Sequence, residues 1–326
     1  MRFSTKLISL FVNATLALAA INDKAQHDET FNFWVTGSTG GTATIVGLRK
    51  NPTTAKSITF PAYVYVEGYK FKVTGVLDHS FTGSYCPFED VYVSSLVESF
   101  NFDAFSFNDC KNLKRVVLYN DNVTTELTAF RNSNKDISFL SKGTKSFIKS
   151  YSEKLVRDLS IPVKNYRSVN SSTKRKDLLS IATKINKYFT MNKARDSGDL
   201  AVTLVTRNGT SDGLARLLRQ LAVSAGFVES DIQIGGDNNS HYWNYVKLGS
   251  YWYNLDVNYL TDNANTFIVG KNTFKNRLRE KYGVTLDPSR YIIWYSIYGY
   301  ADEFRGQQTY ENWDTYLRQR GGKRGD

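Results

Sequence analysis

The chain has 326 residues, 41% of them hydrophobic, which is enough to bury two separate cores. Its 14% aromatic content, carried by 21 Tyr and 20 Phe against 5 Pro, favours a folded, strand-rich chain over a disordered one. The formal charge of +11 is spread over both halves, so it reads as a solvated basic surface with weak attraction for acidic polysaccharide or an anionic cell surface; three His argue against a metal centre.

The N-terminal segment, as far as Ala20, predicts a secretory signal. Arg2 and Lys6 precede an apolar stretch from Leu7 to Ala20, broken only by Ser9, Asn13 and Thr15, and Ala17-Leu18-Ala19 offers small residues for cleavage. The stretch is too short to span a bilayer comfortably, and no later segment predicts a transmembrane anchor. A secreted or cell-surface protein is therefore expected, for which nucleic acid is not an expected partner. Sequons at Asn122, Asn170, Asn208 and Asn238 are glycan acceptors if the host is eukaryotic.

Residues 28–165 carry an internal repeat. Phe81 and Cys86 recur as Phe105 and Cys110 at one shared offset, and Phe130 follows Phe105 at nearly the same spacing. A period in the low twenties with one short strand per unit predicts a solenoid in which each turn buries its apolar face on the next. Alternation in Thr42–Gly47, Ser57–Pro61 and Phe71–Val76 predicts strands capping the array, and Phe147–Val163 predicts an amphipathic helix and a short strand closing it. The spacing of Phe, Cys and the following Leu/Val runs resembles the leucine-rich repeats of BspA-type bacterial surface proteins. That resemblance implies a short solenoid of about three rungs, which presents a surface or holds a second domain. It also implies a buried thiol at the Cys86 and Cys110 position, and two thiols are favoured here over a disulfide.

Residues 166–176 are polar and charged and predict a linker. Leu178, Ala182, Ile185 and Phe189 then recur at helical spacing. Further on, Asn208-Gly-Thr-Ser211-Asp-Gly-Leu-Ala215 opens an apolar helix pattern that Gly226 ends. His241-Tyr242-Trp243-Asn244-Tyr-Val246 and Trp252-Tyr253-Asn-Leu-Asp256, joined through Gly249-Ser250, predict a hairpin. A hydroxyl at a helix start with an imidazole and a carboxylate on adjacent strands is the arrangement nucleophilic catalysis needs. Each also has a plain role, as N-cap, packed strand residue and turn carboxylate respectively. Phe267–Gly270 and Tyr291–Tyr298 predict buried strands, and the basic, Gly-rich residues 318–326 predict a disordered tail.

Over residues 174–275 these motifs resemble the transglutaminase-like superfamily. Its members carry Gly-x-Cys-x-Gly-x-Ala at a helix start, then His-x-Trp-Asn-x-Val and Trp-Tyr-x-x-Asp; this chain matches with Gly209, Gly213 and Ala215, then His241 to Val246 and Trp252 to Asp256. The resemblance implies a papain-like α+β domain over residues 177–317, with Ser211, His241 and Asp256 at the triad positions. Gly209, Tyr242, Trp243, Asn244, Trp252 and Tyr253 would line the cleft, and no cofactor is implied. Ser211 replaces the family's cysteine. A thiol, with an ordinary pKa of about 8.5, is readily held as a thiolate, whereas a serine hydroxyl must be deprotonated during attack. The expected molecule is thus a short leucine-rich-repeat solenoid followed by a transglutaminase-like α+β domain that has lost acyl transfer and serves as a protein- or polysaccharide-binding or structural module. The alternatives are a Ser211-His241-Asp256 acyltransferase or amide hydrolase, and a surface adhesin acting through the repeats.

Overall fold

The computed structural model describes residues 26–37, 40–49, 55–192, 199–236, 241–259, 268–269, 271–283, 285, 292–294 and 323–324. The predicted signal segment and the Asn238 sequon lie outside them. The chain forms two compact units, residues 1–147 and 148–326.

In the first unit, β1 (Gln26–His27), β2 (Phe31–Thr36), β3 (Thr42–Leu48), β5 (Tyr63–Val66), β6 (Tyr69–Val76), β8 (Phe100–Phe102) and β10 (Val123–Thr125) form one sheet, with β5 paired on β6. The other sheet, in the order β11-β9-β7-β4, is made of β4 (Ser57–Phe60), β7 (Asp90–Val93), β9 (Arg115–Leu118) and β11 (Ser138–Leu140), all parallel. From β4 onward the chain visits the two sheets in turn, so each repeat contributes two strands rather than the expected one. Register carries the period: Asp90 lies opposite Arg115, and Arg115 opposite Ser138, one repeat apart each time. Ser57 lies opposite Asp90 after a longer stretch of chain, because the β5–β6 hairpin is inserted there.

The core of this unit is aromatic. Phe60, Phe81, Phe107 and Phe130 follow one another at centroid distances of 5.8, 5.2 and 5.3 Å, each pair contributing roughly 0.5–1.5 kcal/mol beyond its buried area. Phe107, not the expected Phe105, is the successor of Phe81. Phe105 has a positive φ of 56° and stacks on His79 at 4.9 Å instead. The two cysteines also correct an expectation. Adjacent repeats bring the Cα atoms of Cys86 and Cys110 to 5.5 Å, inside the range a disulfide spans, and the two are bonded.

Helix α1 (Thr144–Asp158) fulfils the predicted closing helix, but no strand follows it at Ile161–Val163. In the second unit, α2 spans Ser171–Tyr188, so half of the expected linker is helical; Asn170 caps it by accepting from the Thr173 amide at 2.9 Å, and Tyr166 is fully buried. A helix not foreseen, α3 (Leu200–Thr206), precedes α4 (Ser211–Ser224). Between these helices, β12 (Thr190–Met191) pairs with β13 (Asn208–Gly209). The main sheet runs β17-β16-β15-β14-β18, from β14 (Ile232–Gly236), β15 (Tyr242–Leu248), β16 (Tyr251–Leu255), β17 (Ile268–Val269) and β18 (Ile292–Trp294), with α5 (Lys271–Tyr282) between the last two in sequence. The predicted hairpin is β15–β16, with Gly249 at φ +64° in its turn. Within the tail expected to be disordered, Lys323–Arg324 pairs with β16 as β19. α4 packs on β14 and β15, and α2 and α3 pack on α4, giving a helical layer against a mainly antiparallel sheet.

Candidate functional site

The start of α4 is built by close packing. Thr210 is its N-cap, its hydroxyl oxygen accepting from the Gly213 amide at 3.2 Å, so Ser211 is the first helical residue and is relieved of capping. A Cβ at Gly213 would stand 2.4 Å from Thr203 Oγ1, and one at Gly209 2.8 Å from Thr203 Cγ2. Both glycines therefore let α3 seat against the helix start. Thr203 itself is buried, and its hydroxyl donates to the Asp199 carbonyl at 2.9 Å.

Across the sheet, His241 enters β15 and Asp256 leaves β16. Their side chains are hydrogen-bonded through His241 Nε2 and Asp256 Oδ2, at 1% and 2% exposure. The other carboxylate oxygen, Oδ1, accepts from the Asn258 amide at 2.9 Å and from Asn258 Nδ2 at 3.0 Å. Both oxygens are thus held, and a held carboxylate fixes the orientation of the imidazole it faces. Asn258 sits in a 3₁₀ turn (Val257–Tyr259) to which Asn186 of α2 donates at the Val257 carbonyl, 3.3 Å. Sequence reasoning missed Asn258; the Asp-x-Asn spacing, which suits an Asx turn, was the available signal.

Of the predicted triad, the structure joins His241 and Asp256. Ser211 is 7% exposed, and among the described residues no hydrogen bond joins it to His241. Neither of two cavities in this unit, about 730 and 480 Å³, is lined by any of the three. Trp243, Asn244 and Trp252 are at most 1% exposed and belong to the core, where Asn244 Nδ2 donates to the Ala215 carbonyl of α4 at 2.9 Å. Gly209 is a packing glycine, while Tyr242 and Tyr253 remain half-buried. Beside Ser211 lies an unforeseen buried ion pair: Arg216 Nε and Nη2 donate to Asp212 at 2.9 and 3.2 Å. Burial pushes the Asp212 carboxyl above its ordinary value, and Arg216 opposes that rise.

Among the sequons, Asn122 is exposed at the head of β10, Asn170 is exposed and caps α2, and Asn208 is half-buried in β13. Among the described residues no cluster of His, Cys, Asp or Glu suits a metal, and no helix is long and apolar enough to cross a membrane.

The four-stranded sheet of the first unit displays a second candidate surface. Arg115 forms a two-pronged pair with Asp90 on the neighbouring strand, and the Arg115 hydrogen bonds hold the Asp90 carboxyl below its ordinary value. Further along, Tyr92 of β7 and the 44% exposed Tyr119, just past the end of β9, lie 6.4 Å apart with rings 12° from parallel. Near the strand starts, Lys114 and Lys56 reach Glu89 at 2.7 and 2.6 Å and hold its carboxyl down at about 2.

No protein-family model and no curated protein matches the chain. Solved structures similar to it include a leucine-rich cell-surface protein from Faecalibacterium prausnitzii, 23% identical, covering 36% of this chain and 30% of that one at a TM-score of 0.29. A leucine-rich-repeat protein from Bacteroides ovatus is 15% identical over 35% of this chain and 37% of that one, TM-score 0.24. Another, from Bacteroides capillosus, is 18% identical over 36% of this chain and 100% of that one, TM-score 0.26. The structural neighbours are thus leucine-rich-repeat proteins covering about a third of this chain, and the chain spans about a third of the length of the first two.

Proposed function

We propose that the chain is a secreted or cell-surface binding protein whose repeat unit, a short BspA-type solenoid, takes its ligand on the outward face of the parallel sheet. The observation that carries this reading is the near-parallel Tyr92–Tyr119 pair beside the Asp90–Arg115 bridge. The exposed Tyr119 and the half-buried Tyr92 give contact area at low conformational cost, and fixed charges near them give register. The ligand class is a protein or an extracellular or cell-wall polysaccharide. The test is adsorption of the full chain to immobilised matrix proteins and cell-wall polysaccharides, with and without Tyr92→Ser and Tyr119→Ser together. Binding at least tenfold weaker in the double variant is expected, and unchanged binding ends the reading.

A second reading concerns the other unit: a transglutaminase-like module that has kept its framework and lost acyl transfer. The buried His241–Asp256 pair favours it, since imidazole and carboxylate stand at the superfamily's positions while Ser211 occupies the nucleophile's. The wild-type chain should take up no fluorophosphonate and incorporate no amine into a glutamine peptide. Labelling of Ser211 that disappears in His241→Ala would overturn the loss of catalysis and support a serine acyltransferase or amidase instead.

A further inference from the structure

Helix α2 carries a charge distribution that neither reading uses. Of its eighteen residues five are basic and one, Asp177, is acidic. Asp177 is buried and committed, accepting from Lys164 Nζ at 2.7 Å and from the Tyr166 hydroxyl at 2.8 Å. The apolar residues Leu178, Ile181, Ala182 and Ile185 face the core. By helical periodicity the opposite face holds Lys176, Ser180, Thr183 and Lys187, flanked by Arg175 and Lys184. Four of these cations line a cavity of about 730 Å³ along the helix, together with Tyr188. Arg175 is anchored through the Ile268 carbonyl at 2.7 Å, whereas among the described residues no carboxylate pairs with Lys176, Lys184 or Lys187. At the end of the row Tyr188 is 48% exposed, with the Lys187 ammonium 5.1 Å from its ring centroid.

We propose that this face of α2 binds a carboxylate-bearing polysaccharide. The three lysines spread over roughly 16 Å of the helix, from the helical rise over eleven residues, which suits an extended polymer carrying several charges better than a single small anion. The half-exposed Tyr188, with the Lys187 ammonium over one face of its ring, suits a uronic-acid residue, whose sugar packs on the exposed surface of the tyrosine while its carboxylate meets the lysine. The single aromatic provides no series of stacking platforms such as single-stranded nucleic acid uses. The face also lacks the apolar side chains with which an amphipathic helix enters a lipid surface.

The test uses the full chain and polygalacturonate as probe, with dextran as the neutral control. Lys176→Gln, Lys184→Gln and Lys187→Gln together should weaken binding about tenfold, the product of three exposed ion pairs. A control triple, Lys135→Gln, Lys145→Gln and Lys149→Gln, removes the same charge from exposed positions elsewhere and should change affinity less than twofold. Tyr188→Ala should weaken binding severalfold while leaving its salt dependence unchanged, since it removes no charge. Lys184 is half-buried and the other substituted residues are exposed, and circular dichroism will verify that the variants fold. Three results would each overturn the proposal: no binding of polygalacturonate by the wild-type chain, equal losses in the two triple variants, or equally tight binding of a DNA duplex or phosphatidylserine vesicles through the same three lysines.

Discussion

The disulfide offers the sharpest quantitative test of the repeat unit. Cys86 and Cys110 close a loop with a sequence separation of 24, for which the chain-entropy relation gives about 3.5 kcal/mol of stabilisation through the unfolded state. Reducing the wild-type chain isolates that contribution. Cys86→Ala with Cys110→Ala removes in addition two buried sulfur atoms, at 2% and 0% exposure, and costs about 1 kcal/mol more. For a unit ending at residue 147, a loss of about 3.5 kcal/mol lowers the midpoint by roughly 10 °C. Differential scanning calorimetry with and without dithiothreitol is the assay. The transition of the first unit should move and that of the second should not, because both cysteines lie in the first. Two free thiols titrated in the unreduced, denatured chain, or a first transition indifferent to reductant, would refute the reasoning.

Other consequences follow from the second unit and the rim of the repeat sheet. Gly213→Ala should destabilise by about 1–3 kcal/mol in urea unfolding, because the added methyl would stand 2.4 Å from a buried Thr203 hydroxyl; a neutral result would mean that alanine's better helix propensity outweighs the clash. Asn258→Asp keeps the side chain's shape but sets an acceptor against Asp256, so it should disturb the His241 imidazole resonances more than Asn258→Ala does; the reverse order would make Asn258 a space-filler. Glu89, held at about 2 rather than the ordinary 4.5, contributes stability above its ordinary value that is lost as pH falls towards about 2. Lys56→Gln with Lys114→Gln should move its carboxyl titration, followed by NMR, back towards 4.5, and no movement would refute the assignment to those two lysines.

How far these features were legible varies with the range of the interaction. The repeat period could be read because every turn repeats its aromatic and apolar positions. Choosing between Phe105 and Phe107 as successor to Phe81 required knowing that the Phe81 amide donates to the Ser106 carbonyl across the rungs. The second strand of each repeat escaped notice because Phe100–Phe102 and Val123–Thr125 are three residues long, too short for alternation to register. Helix α3 is a seven-residue apolar run that periodicity alone cannot separate from a strand. The disulfide depended on side-chain direction, which stacked repeats do not announce. His241 and Asp256 stood out through their motifs, but the Asn258 contact to Asp256 exists only once the chain turns at Val257.

The two glycines that flank Ser211 change what its motif means. In the pattern Gly209-Thr-Ser-Asp-Gly213 the glycines invite a chemical explanation, yet each lies against the same threonine of α3, where a methyl group would not fit. Thr203 is fixed in turn by Asp199, whose carboxylate accepts from the amides of Ala201 and Val202 at 2.8 and 3.2 Å. Asn244 likewise spends its amide on the Ala215 carbonyl, tying helix to sheet. Much of what resembles a catalytic signature is therefore the packing that seats α4 between α3 and the hairpin. Packing constrains those positions whether or not residue 211 is a nucleophile, so the contacts that seat the helix start do not depend on the chemistry of that side chain.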